Sequence, residues 1–304
     1  MTTPSRFFYY VFAALSVQAA SSCLPQDNRP TPASLLVTAS GNSAVQAGFD
    51  TDDGWHIQFT RFMVSIGHAG FTKTDSCTTY SDANYERVLD LLQPGQQKVN
   101  LIYGLGSCNL EFRVAYPNSN SLAGVGVTDN DITLMRTQGN DRYTSSQGMN
   151  GFISGAASKS GQLKTFTWMF RQNWYYSSCR TAAGDLANLD LPGGEQRTVN
   201  LLVYGERLFL DLQTLDTPGL AFEPMAQADS MSGNNDGEVS LDELAAVPVT
   251  LSNVPGKPPH TSQAADAGMP TDLELLVYMS LFPEIVRYDG SGPCRASPQR
   301  PGRD

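Results

Sequence analysis

Between residue 33 and about residue 207, apolar residues come in short runs rich in Val, Ile, Phe, Tyr and Thr, broken by Gly, Asn, Asp and Pro. In Trp55-His56-Ile57-Gln58-Phe59-Thr60-Arg61-Phe62 apolar and polar residues alternate, which predicts a strand with one buried face. Asp53-Gly54 just before it supplies turn chemistry. Residues 99–103, 110–114, 152–153, 166–170, 199–204 and 208–212 read as further strands. No stretch before Ala221 has helical period. The expected fold is therefore mostly β: one or two antiparallel β-sandwich modules, 34–130 and 131–220, followed by a small helical segment.

Parts of the pattern occur twice. Gly54-x4-Phe59-Thr60 recurs as Gly161-x4-Phe166-Thr167, and Val99-Asn100-Leu101 behind Pro94-Gly95 recurs as Val199-Asn200-Leu201 behind Pro192-Gly193. The order is kept while the spacings drift by one to a few residues, and a one-residue slip turns a strand's side chains to the other face unless a bulge absorbs it. We read this as an internal duplication. The alternative is that similar strand-and-turn chemistry arose twice.

From Ala221 the texture changes. Residues 222–229, with Pro224 in the first turn, and residues 240–246 read as two short helices, together a helix–loop–helix over 221–247. Residues 248–270 form a Pro- and Ala-rich linker. Thr271-Asp272-Leu273-Glu274 is a capping box that opens a last helix to about Phe282. That helix and the tail to 295 are expected to dock on the body, with 296–304 disordered.

Between the two short helices lies Ser232-Gly233-Asn234-Asn235-Asp236-Gly237-Glu238-Val239-Ser240-Leu241-Asp242-Glu243. A hard divalent cation takes six to eight oxygens, so short oxygen-bearing side chains alternate along a tight loop. A glycine at the sixth place allows the turn, and a carboxylate at the twelfth closes the shell. The segment resembles an EF-hand or dockerin calcium loop. Aligned on Gly237, the resemblance implies Ser232, Asn234, Asp236, Ser240 and Glu243 as side-chain ligands, the Glu238 carbonyl as another, and Val239 packing beneath. Serine replaces the usual Asp at the first place, and an enlarged loop would bring Asp229 in as a ligand. With so few charges the affinity falls at the weak end, on the order of 10⁻⁴ to 10⁻³ M. The same residues also make a turn followed by a Ser240-x-x-Glu243 capping box, which requires no metal.

Composition and charge add an address. Arg6 precedes an apolar run to Val17 and then small residues, the layout of an export signal too short to span a bilayer. Ala20-Ser21-Ser22-Cys23 resembles a bacterial lipobox, which makes 1–22 a signal peptide, Cys23 the lipidated residue and 23–33 a Pro-rich tether. Leu24, where an Asp would signal inner-membrane retention, is similar to an outer-membrane destination. A cut after Ala19 is the alternative, releasing a soluble chain with Cys23 unpaired; a eukaryotic secreted protein is a third.

With Cys23 lipidated, Cys77, Cys108, Cys179 and Cys294 form an even set. Of the three connectivities we favour Cys77–Cys108 with Cys179–Cys294. The chain carries 30 acidic against 20 basic residues, a balance that repels nucleic acid and attracts cations.

Other chemistry is sparse. Asp50 to Gly54 reads as a hairpin turn, and Asp129 and Asp131 as loop residues. His56, His68 and His260 lack zinc-ligand spacing. No nucleophile elbow or phosphate-binding glycine loop occurs. Phe166, Trp168 and Phe170 share one side of a strand, which points to core rather than to a sugar platform with Trp174.

Together the lipobox, the Trp55 and Trp168 strands and the calcium-like loop resemble uncharacterised Gram-negative envelope lipoproteins. The resemblance brings no established activity. The expectation is a non-catalytic, calcium-clamped β-sandwich lipoprotein, anchored in a membrane through an N-terminal lipid. It would act as a surface or periplasmic binding or scaffold component, with an envelope protein or glycan as its partner. A carbohydrate-binding lipoprotein and an envelope hydrolase are the competing classes.

Overall fold

The computed structural model describes residues 30–137, 148–211, 219–249, 270–290 and 292–299. The expected signal, Cys23, most of the expected tether, nearly all of the expected 248–270 linker and His260 lie outside them. Strand β1 (Ala33–Gly41) leads through α1 (Ser43–Ala47) and β2 (Phe49–Asp50) to the long β3 (His56–Phe71). Then come β4 (Cys77–Ser81), β5 (Glu86–Asp90), the 18-residue β6 (Gln97–Val114), β7 (Leu122–Ala123) and α2 (Asp129–Thr137). The second half holds β8 (Gly151–Lys159), β9 (Gln162–Phe170), β10 (Trp174–Ser177), β11 (Asn188–Leu191) and β12 (Gln196–Val203). Last are α3 (Glu223–Met231), β13 (Glu238–Val239), α4 (Leu241–Leu244), α5 (Leu273–Leu275), β14 (Val286–Tyr288) and β15 (Arg295–Pro298).

The fold is mostly β, a large curled sheet with antiparallel pairing predominant. Its main path runs β13-β9-β8-β3-β6-β1-β12-β14. The curl follows from the two long strands. Residues 97–104 of β6 pair with β1, while 110–114 pair with β3, so one strand serves two parts of the sheet. Along β3 the partner changes from β8 to β6 around Ser65, and the buried Asn150 stitches the split by donating through Nδ2 to the Val114 carbonyl at 3.2 Å.

The two expected modules share this sheet. The first strand of one half, β1, lies between β6 of its own half and β12 of the other, with which it pairs in parallel. A single principal core draws on both halves. The repeated segments sit beside one another: Asn100 and Asn200 flank β1 opposite Val37 and Thr38, and the Phe59 and Phe166 rings meet edge-on at 6.1 Å.

Five local expectations are corrected. Of the strand expected over 208–212, the described residues 208–211 form none; residues 205–209 make a 3₁₀ turn that buries the adjacent Leu208 and Phe209 together, which strand alternation would not allow. Helices do precede Ala221. Asp129 and Asp131 stand in the first turn of α2, where Thr128 Oγ1 accepts the Asp131 N–H while the Asp131 carboxylate accepts the Thr128 N–H. Only Ile132 and Met135 are buried along α2, too few to show a period in the sequence.

The C-terminal helix is capped one residue later than expected: Asp272 Oδ1, not Thr271, accepts the amide of Leu275 at 2.9 Å. It then widens into a π turn over 276–281 and ends in a 3₁₀ turn, Phe282–Glu284. The tail is ordered through Pro298, because β15 pairs with β10. Both disulfides are Cys77–Cys108 and Cys179–Cys294, the pairing favoured above.

Candidate metal centre

Helix α3 is where the sheet meets the acidic loop. Pro224 sits in its first turn, and its buried side carries Met225, Ala226, Ala228 and Asp229. Its N-terminus is held from 170 residues away, since Asp53 Oδ2 accepts the amides of Phe222 (2.8 Å) and Glu223 (2.6 Å). Asp52 Oδ2 likewise accepts the Leu220 amide at 2.8 Å. The turn from Asp50 to Gly54 is thus the expected hairpin turn and also a cap for a distant helix. Glu223 accepts from the indole of the buried Trp55 (2.9 Å) and from Lys159 (2.7 Å). The Lys159 hydrogen bond, followed by that of Trp55, holds the Glu223 carboxyl below its ordinary range.

Because Asp229 lies one helical step from Met225 and Ala226 on the buried side, the helix carries a carboxylate to the interior, with no exposed surface left. One of its oxygens, Oδ2, accepts from Lys164 of β9 and from the Gly237 amide at 3.2 Å. The other, Oδ1, is buried without a hydrogen-bond partner among the described residues. That is unusual, since a buried acceptor left unsatisfied is destabilising by about 1–3 kcal/mol.

The loop after α3 folds by its own polar side chains. Asn234 Oδ1 accepts the Asp236 amide (3.1 Å) and Asp236 Oδ1 accepts the Glu238 amide (2.8 Å), two successive Asx-type turns. Asn235 and Gly237 take positive φ, 56° and 89°. The Glu238 amide, then the Asn234 side chain, keeps the Asp236 carboxyl below its usual range. Val239 is buried and pairs with Phe166 as β13, and its carbonyl accepts the Trp168 indole N–H at 2.9 Å. Ser240 then caps α4 in a complete capping box: its Oγ accepts the Glu243 amide, and Glu243 Oε2 accepts the Ser240 amide at 2.9 Å. The other Glu243 oxygen turns back to accept the Asn234 amide at 3.2 Å.

These turns bring Asp229, Asp236 and Glu243 together. One carboxylate oxygen from each lies within 4.8 Å of the others, close enough to share a cation. Of the other expected ligands, Ser232 is the C-cap of α3, the Asn234 Oδ1 accepts the Asp236 amide, Ser240 Oγ accepts the Glu243 amide, and Glu238, expected to offer its carbonyl, lies in β13. Asp229, three residues before Ser232 in the sequence, is the residue that joins Asp236 and Glu243. Lys164 and Asp53 had no signal in the sequence, because each acts on α3 across 65 or more residues.

The aromatic patch does not form a platform. Trp168 and Trp174 are both buried in the principal core. His56 meets Asp50 at 2.7 Å and His68 meets Glu86 at 2.8 Å, each a single carboxylate. A carboxylate pair does form in space: burial and then the charge of Glu111 raise the Asp82 carboxyl. Glu111 itself accepts from Thr72 at 3.2 Å and from the Tyr175 hydroxyl. No known protein family, curated protein or solved structure matches this chain.

Proposed function

We propose that this chain is a non-catalytic, exported binding or scaffold protein of the cell envelope, lipid-anchored through Cys23, in which a weakly held calcium ion clamps residues 223–244 against the sheet. The observation that carries the cation is the fully buried Asp229 carboxylate, one of whose oxygens lacks a hydrogen-bond partner among the described residues and which lies beside two further carboxylates. A calcium ion would satisfy that oxygen and offset the mutual repulsion of three negative charges. Every candidate donor is an oxygen, the chemistry of a hard cation rather than of zinc or copper. Two disulfides support an oxidising compartment, and with it export.

The test is a calcium titration of the purified mature chain, read by thermal unfolding. At ten times the dissociation constant, mass action adds about 1.4 kcal/mol, so the midpoint should rise by a few degrees. Glu243→Gln should shrink that rise. No shift at 10 mM calcium (about ten times the weakest affinity expected), or an equal shift in the variant, removes the clamp. Unchanged membrane partitioning of Cys23→Ser removes the anchor.

A further inference from the structure

Resting on the calcium reading above, we propose that Lys164 sets the affinity of the site by sharing Asp229 with the ion. The two oxygens of this carboxylate are differently engaged. Oδ2 holds the Lys164 ammonium and the Gly237 amide, and Oδ1 has no hydrogen-bond partner among the described residues. An ammonium has three donors and no acceptor, so Lys164 cannot be a ligand. It is the fixed counter-charge of the site.

Asp229, Asp236 and Glu243 bring three negative charges and Lys164 one positive, leaving two, the charge of one divalent ion. The lysine cannot easily swing away. Its backbone belongs to β9, paired to Ala157 of β8 on one side, with β13 joining at the next residue on the other, and only 15% of its side chain is exposed. The ion must therefore bind with the ammonium in place. A single and a double positive charge a few ångströms apart repel enough, even with water-like screening, to weaken binding about tenfold. Lys164 orients the carboxylate while lowering its affinity into the range of free extracellular calcium.

Two substitutions separate this role from simple anchoring, because they move the affinity in opposite directions. Lys164→Gln removes the charge while the Gly237 amide still orients Asp229, and should tighten calcium at least about tenfold. Lys164→Arg presents a planar fork that engages both oxygens of a carboxylate, so it should weaken calcium by about the same factor. The full mature chain is titrated with calcium chloride in a calorimeter, with Asp236→Asn as the variant that reports on the site itself.

If calcium binds the parent chain, Asp236→Asn abolishes it and neither lysine variant changes the affinity, Lys164 is only an anchor and the proposal falls while the calcium site stands. If calcium binds Lys164→Gln but not the parent, the proposal is supported in its strongest form. If none of the chains binds calcium, both readings fail. Should Lys164→Gln not fold, parent-like affinity in Lys164→Arg alone overturns the assignment.

Discussion

Replacing Gly233 by alanine is expected to loosen the helix–loop–helix, although the same change in an ordinary turn would tighten it. Gly233 is not among the glycines with positive φ, so alanine fits its backbone. Restricting the unfolded chain would then stabilise by about 0.4–1 kcal/mol. Space decides otherwise. A Cβ at this position would lie 2.0 Å from Glu243 Oε1, 2.5 Å from Glu243 Cδ and 2.8 Å from the Asp229 carbonyl oxygen.

The Glu243 carboxylate has to leave, and with it go its bonds to the Asn234 and Ser240 amides. Charged hydrogen bonds of this kind contribute about 1.5–3 kcal/mol each when buried, and less here, where Asn234 is exposed. Set against the entropic gain, a net loss of about 1–2 kcal/mol follows, or a midpoint roughly 2–6 °C lower for a domain of this size. The assay is thermal unfolding by circular dichroism in EDTA, repeated with calcium, whose stabilising effect should also fade. A variant as stable as its parent in both conditions would mean that Glu243 does not turn back over Gly233, and the acidic cluster would lose a member.

Two other outcomes concern the α3 latch. Asp53→Ala should cost about 1–2 kcal/mol in urea unfolding, the usual loss for an N-cap acceptor, and Asp53→Asn less because it keeps an oxygen. Glu223 gives a dependence on pH with a definite sign. Its folded pKa lies below the ordinary 4.5, so the unfolded chain takes up its proton first. The stability it contributes is complete above about pH 4.5 and disappears as the pH falls through the lower folded value. In denaturant titrations between about pH 5 and pH 3, Glu223→Gln should therefore lose less stability than the parent chain.

Much of the fold was legible because alternation is a strong signal where one face is buried. The Trp55 strand and the Phe166–Phe170 face read directly from spacing, whereas the cysteine pairing was one preference among three connectivities. The misreadings share a cause. Leu208-Phe209 and Ile132 with Met135 are too short for a period to separate a turn of helix from a strand. The sequence marked the repeats but not how they interleave: Asn100 and Asn200 end up on either side of β1, an arrangement that depends on pairing over more than 150 residues. The candidate site was half legible. Asp236 and Glu243 sit at loop-determined spacings, and Asp229 came into view only as an enlarged loop. Lys164 and Asp53 were invisible, since a strand-borne ammonium and a turn carboxylate acquire their roles only when α3 packs down.

The Cys179–Cys294 bridge links residues 115 apart, and α3, the acidic loop and α4 all lie between them. Covalently, the candidate site is a segment of a ring. A single cut by a protease anywhere from 180 to 293 opens the ring but releases no fragment, so the nicked chain gains only a water and separates into two pieces only after reduction. Each half stays tethered near its docking surface at high effective concentration. The halves of a nicked chain can then re-dock, and the reducing power of the surroundings decides when they part.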